Sequence, residues 1–115
     1  MYTLKLKHHF DAAHKLLNYK GACANLHGHR WVVEVEITTI LLKKDMVIDF
    51  KLLKDYINQF DHTYINDKVE FNPTAENLAQ YLHQEIRKEL KDRPGSIKIT
   101  IWESPEASVS FTRTI

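Results

Sequence analysis

A chain of 115 residues has room for one compact domain with one modest core, and 43% aliphatic and aromatic residues beside 27% charged ones exclude a disordered or low-complexity polymer. The formal net charge is only +1 and the lysines are interleaved with acidic residues, so there is no basic footprint for nucleic acid or anionic lipid, and a small-molecule partner is expected. No window approaches the ~18 apolar residues of a membrane span, and the chain opens on a strand-like stretch without an apolar leader, which predicts a cytoplasmic protein.

From Tyr2 to His9, Leu4 and Leu6 alternate with Thr3, Lys5 and Lys7, the period-two pattern of a half-buried strand. It leads through Phe10-Asp11-Ala12-Ala13 to His14. Residues Lys15 to Asn25 show no period and contain Asn18, Gly21 and Asn25, so a loop is predicted there, and it holds the chain's one cysteine. A single cysteine makes no internal disulfide, so Cys23 is a buried filler, a metal ligand, a redox thiol, or a nucleophile or base. His27 to Leu41 is rich in β-branched residues, with Val33, Val35 and Ile37 set against Glu34, Glu36 and Thr38, and forms a second strand antiparallel to the first.

Asp49 is placed to cap a helix from about Lys51 to Phe60, whose apolar face is Leu52, Leu53, Tyr56, Ile57 and Phe60. A second helix enters at Asn72-Pro73-Thr74 and repeats Ala75, Leu78, Ala79, Leu82, Ile86 and Leu90 at threes and fours until Arg93-Pro94-Gly95 ends it. Its outer face reads as solvated, His83 included, while His8 and His9 straddle the first strand. Ser96 to Trp102 and Ser108 to Thr114 alternate as two closing strands around a turn at Pro105. The order is ββααββ, an α+β class in a single unit spanning residues 1–115, with no internal repeat and no linker.

Seven histidines are a high count, and histidine serves both zinc binding and proton transfer near neutral pH. His27 and His29 are two apart on a strand and project from one face, so both imidazoles can reach one ion. His14 lies at the far end of the first strand, where an antiparallel hairpin brings it beside His27. Three neutral nitrogens leave a fourth tetrahedral position open, the layout of a catalytic zinc site. The rival readings are a chance His-Gly-His surface pair, and a closed structural zinc with Cys23 as fourth ligand. Held near but off the metal, Cys23 is instead a general base, provided a cation or hydrogen-bond network lowers its pKa. In Asp61-His62 the carboxylate can orient an imidazole that exchanges protons, though the pair also reads as an ordinary surface or cap element. Glu103 follows Trp102 at the end of an apolar strand. It is either simply exposed there or set in an apolar slot where a carboxylate accepts two hydrogen bonds from a flat amidine-like ring edge.

The ordered set Phe10-Asp11-Ala12-Ala13-His14, Cys23-Ala24-Asn25-Leu26-His27-Gly28-His29, Ile48-Asp49-Phe50, Asp61-His62, Asn72-Pro73-Thr74-Ala75-Glu76-Asn77 and Trp102-Glu103-Ser104 resembles the 6-pyruvoyltetrahydropterin and 6-carboxytetrahydropterin synthase family over nearly the whole chain. The resemblance implies zinc on His14, His27 and His29, a catalytic set of Cys23, Asp61 and His62, Glu103 as the pterin anchor, and Thr74 and Glu76 as further substrate-binding residues. It also implies the T-fold, or tunnelling fold: a four-stranded antiparallel sheet with two helices on one face, whose subunits join into a barrel. A barrel-forming homo-oligomer, for which a hexamer is one arrangement, with active sites at subunit interfaces is the corresponding expectation. Three residues separate Cys23 from His27, as in the carboxy enzymes of the queuosine and 7-deazaguanine route, whereas the pyruvoyl enzymes usually have five. The implied reaction converts 7,8-dihydroneopterin triphosphate to 6-carboxytetrahydropterin, acetaldehyde and triphosphate without a nicotinamide. The pyruvoyl reaction, a zinc hydratase or hydrolase, and a non-catalytic zinc-stabilised binding domain are the alternatives.

Overall fold

The computed structural model describes residues 1–115. Strands β1 (Tyr2–His14) and β2 (His27–Thr39) are followed by helix α1 (Phe50–Asn58), a two-residue strand β3 (Thr63–Tyr64), helix α2 (Ala75–Leu90), and strands β4 (Gly95–Ser104) and β5 (Ala107–Thr114). The sheet order is β3-β1-β2-β4-β5, antiparallel throughout except that β3 lies parallel to β1. The expected ββααββ order is therefore present, with β3 as an addition. This strand has no hydrophobic alternation of its own; it forms because the backbone after α1 docks on β1, with Ala12 opposite Thr63 and Ala13 opposite Tyr64.

Alternation explains how the sheet separates its faces. In β2, Trp31, Val33, Val35 and Ile37 are fully buried beneath the helices, as are Ile97, Ile99 and Ile101 of β4. The opposite face is polar: Glu36 lies between Lys5 and Lys98, with N–O distances of 3.6 and 3.8 Å. Antiparallel sheets commonly cover one face and leave the other to water. The helices close the covered face through Leu53 and Ile57 of α1 and Leu78, Leu82, Ile86 and Leu90 of α2. Burying a side chain of that size contributes about 1.5–3 kcal/mol. Both predicted caps are present, with Asp49 accepting from Lys51 N–H (2.9 Å) and Thr74 from Asn77 N–H (3.1 Å). At the turn into β4, Gly95 has φ +142°, and a Cβ there would lie 1.9 Å from the Thr38 carbonyl oxygen, so only glycine lets β4 begin against the end of β2.

His83 departs from the sequence expectation. It is 1% exposed, not solvated, because β5 widens the covered face and the stripe of α2 that includes Ala79 and Ile86 packs against it. Its Nε2–H donates to the Arg113 carbonyl at 3.1 Å, and its ring meets Phe111 edge-on. Burial pushes the pKa of His83 below its ordinary value, and the charges of Arg113 and Arg87 act in the same direction against the Arg113 hydrogen bond. An unfolded chain then takes up this proton first, so the contribution of His83 is present above the unfolded pKa of about 6.5 and is lost as pH falls through the folded one. Urea midpoints measured from pH 8 to pH 5 should fall less in His83→Gln, which keeps a donor without titrating, than in the parent. Parallel acid limbs in the two proteins would contradict this assignment.

Candidate active site

The β1–β2 register sets His14 directly opposite His27 and Ala12 opposite His29, at the end of the sheet and on its covered face. One candidate ligand atom from each of the three histidines lies within 4.8 Å of the others. Each Nδ1 already meets a carbonyl oxygen: His14 with Pro73 (2.8 Å), His27 with Asn25 (2.7 Å) and His29 with Arg30 (3.1 Å). A carbonyl accepts only, so each Nδ1 carries the proton and each Nε2 presents a lone pair. His14 Nε2 and His27 Nε2 stand 3.0 Å apart. Two acceptors that close repel unless a cation lies between them, and Nδ1–H held by a carbonyl is the support that metal-ligating imidazoles use. The donor set therefore fits a divalent ion with nitrogen preference, and zinc, with three imidazoles and an open fourth position, is one such ion. Burial, chiefly, keeps the His14 pKa below its ordinary value, which favours the neutral form that a ligand needs.

Trp31 supports this cluster from the core. His29 stacks on its ring at 4.4 Å and His14 meets it edge-on at 4.6 Å, while the indole N–H donates to the Ala12 carbonyl. Glu103 reaches the same end of the sheet from β4, near enough for its charge to act on His14. Glu103 is the penultimate residue of β4, at the strand end as expected, where the β4–β5 register shifts between Trp102 and Ser104. Such bulges re-aim a side chain. Glu103 borders a cleft of about 500 Å³ whose walls are the loop from Leu16 to Tyr19, the start of α2 and the beginning of β5. Thr74 and Glu76 line this cleft too, Thr74 while capping α2 and Glu76 from an exposed position.

Cys23 is partly buried, within a single 3-10 turn of the β1–β2 loop, and stands outside the three-histidine cluster. Asp61 and His62 lie at the other border of β1. Asp61 Oδ1 accepts from the Asp11 N–H (3.0 Å), and Oδ2 is 3.5 Å from His62 Nε2. The His62 N–H donates to the Asp11 carbonyl (2.8 Å) with φ at +56°, a left-handed conformation uncommon outside glycine that leaves the imidazole 83% exposed. No hydrogen bond links this pair to Cys23 within the chain. Asp11 also holds Arg30 through two hydrogen bonds of 3.0 and 3.2 Å, and that guanidinium keeps the Asp11 carboxyl below the usual carboxylate range. Sequence reading assigned no role to Arg30, nor to the Pro73 and Asn25 carbonyls. A carbonyl belongs to every residue and carries no sequence signal.

A mostly antiparallel sheet with two helices on one face and a three-histidine cluster at its end defines a T-fold protein able to hold a metal ion. The profile of the 6-pyruvoyl tetrahydropterin synthase family matches residues 3–114, and the chain belongs to that family. Among its relatives is the 6-carboxy-5,6,7,8-tetrahydropterin synthase of Haemophilus influenzae, 30% identical with 96% of this chain and 99% of the relative covered. The Rickettsia felis protein of the same name is 37% identical over 67% of this chain and 74% of its own. Among solved structures, the 6-pyruvoyl tetrahydropterin synthase of Caenorhabditis elegans superposes with a TM-score of 0.73 at 27% identity, covering 98% of this chain and 94% of the other. No helix is long and apolar enough to cross a membrane.

Proposed function

We propose that the chain is a zinc-dependent lyase that converts 7,8-dihydroneopterin triphosphate, with uptake of one water, to 6-carboxytetrahydropterin, acetaldehyde and triphosphate for the 7-deazaguanine branch that leads to queuosine. The observation that carries this reading is the convergence of one imidazole nitrogen from each of His14, His27 and His29, with His29 lining a cleft that Glu103 also lines. Curated relatives named for the carboxy reaction and the three-residue spacing from Cys23 to His27 favour it over the pyruvoyl reaction, which shares the triphosphate elimination but keeps all three side-chain carbons. A zinc ion on His14, His27 and His29 supplies Lewis acidity to the substrate's side-chain oxygens.

The remaining roles belong to the chain itself. Cys23 and His62 move protons on the substrate side chain during elimination and carbon–carbon cleavage, with Asp61 orienting the His62 ring. Oxidation of the side chain and reduction of the ring balance within one substrate, so no nicotinamide is needed. Subunits join through the open borders of their sheets, which places the clefts between copies in the cytoplasm. Incubation of zinc-loaded protein with 7,8-dihydroneopterin triphosphate tests the reading. Acetaldehyde in step with triphosphate supports it, triphosphate without acetaldehyde turns it to the pyruvoyl reaction, and an unchanged substrate leaves a zinc-stabilised binding domain.

Glu103 is the proposed anchor for the amino and amide edge of the pterin, with Thr74 and Glu76 as further substrate-binding residues lining the same cleft. Two acceptor oxygens match two ring donors, and a carboxylate in a slot is costly unless paired. Glu103→Gln removes the charge and one acceptor at constant shape, so binding should weaken by about 1.5–3 kcal/mol, roughly ten- to a hundredfold, with zinc content unchanged. Calorimetry showing parental pterin affinity, or zinc loss as the main effect, would refute the anchor.

A further inference from the structure

The loop that carries Cys23 has little to hold it in place by packing. None of residues 15–26 is fully buried, the only regular element is the turn Ala22–Ala24, and Asn18 adopts φ +55°. Hydrogen bonds fix it instead. The Lys15 N–H donates to Asn66 Oδ1 (3.0 Å) while Asn66 Nδ2 donates back to the Lys15 carbonyl (3.0 Å). Two residues on, the Leu17 N–H donates to Asn72 Oδ1 (2.9 Å) and Asn72 Nδ2 returns a longer bond to the Leu17 carbonyl (3.4 Å). A side-chain amide offers one acceptor and one donor side by side, as a peptide group of a neighbouring strand does. Lys15 and Leu17 are thus paired toward one side as alternate residues of an antiparallel strand are, and β1 is in effect continued three residues beyond His14. Leu16, between them, faces the other way and donates its N–H to the Cys23 carbonyl (2.8 Å).

The two clamps stand on firm ground. Asn66 belongs to a 3-10 turn whose first residue, Ile65, is fully buried. The Asn72 carbonyl accepts from Thr74 N–H (2.8 Å) and Asn77 Nδ2 (2.9 Å), which binds it to the start of α2.

We propose that Asn66 and Asn72 are positioning residues: a two-point amide clamp that fixes the Cys23 loop relative to the three histidines and holds the Leu16–Tyr19 wall of the cleft that Glu103 borders. This rests on the reading of Cys23 as a catalytic thiol. Misplacement of a reacting group by about 1 Å can cost on the order of 10²-fold in rate, so the clamp acts on turnover by preorganisation.

The test compares Asn66→Ala, Asn66→Asp and Asn72→Ala with the parent, all zinc-loaded. It measures amide exchange at Lys15, Leu16 and Leu17, alkylation of Cys23 by iodoacetamide, zinc content, and kcat and KM. Asn66→Ala should retain zinc and lose about tenfold or more of its exchange protection at Lys15 and Leu16, since those amides then open locally. Cys23 alkylation should change by about threefold or more, and kcat should fall roughly ten- to a hundredfold with a smaller change in KM. Asn66→Asp keeps the volume but turns a carboxylate oxygen toward the Lys15 carbonyl, so it should reproduce the alanine effect and serves where alanine impairs folding. Asn72→Ala, whose residue also borders the cleft, should raise KM as well. Unchanged exchange and alkylation in the Asn66 variants would overturn the clamp. Normal turnover in Cys23→Ala would overturn the thiol instead, and the exchange and alkylation results would still decide whether the asparagines hold the loop.

Discussion

Replacing His27 and His29 together by alanine should take the protein from about one zinc per chain to none measurable by elemental analysis after dialysis. Two of three nitrogen donors disappear, and His14 alone offers a single weak contact; loss of one outer support of a ligand already costs about 10–100-fold in affinity, and loss of a ligand costs more. The fold should survive. His27 and His29 are only half-buried, their backbone pairing with His14 and Ala12 does not depend on their side chains, and Trp31 keeps its hydrogen bond to Ala12. Far-ultraviolet circular dichroism should therefore match the parent while turnover is abolished. Zinc undiminished in the double variant would refute the site, and collapse of the fold on metal loss would favour the structural-zinc reading.

The parts of this architecture that were legible in the sequence are those with a local period. Val33, Val35 and Ile37 alternate because the face of β2 beneath the helices alternates, and the threes and fours of α2 reflect one covered stripe. His27 and His29 were readable as partners for the same reason, being two apart on a strand. What escaped has no local period. β3 is two residues long and exists through backbone pairing with β1, and the burial of His83 depends on where β5 lies. The strand-end place of Glu103 was legible, but alternation stops at Trp102 and gave no sign that the pairing of β4 with β5 continues through a register shift to Ser104. The Pro73 carbonyl that holds His14 Nδ1 and the amides that grip the loop are matters of distance between remote segments, and residue type at Asn66 gave no sign of them.

Cys23→Ala should keep its zinc and its fold and lose turnover by a factor on the order of 10²–10⁴, the usual cost of removing a positioned proton-transfer group. Metal retention follows from geometry, since the histidine cluster is complete without the thiol. Retention of the fold follows from its place: Cys23 is partly buried in a loop held by backbone bonds, and its carbonyl, which Leu16 uses, remains in the variant. Only the thiol is removed. The two measurements together separate three of the four readings of this residue. Zinc lost with turnover marks a fourth ligand of a closed site. Both retained marks a filler. Zinc kept with turnover lost marks a base, and Cys23→Ser should then remain well below the parent, because a hydroxyl of similar size cannot ionise near neutral pH as a thiol can.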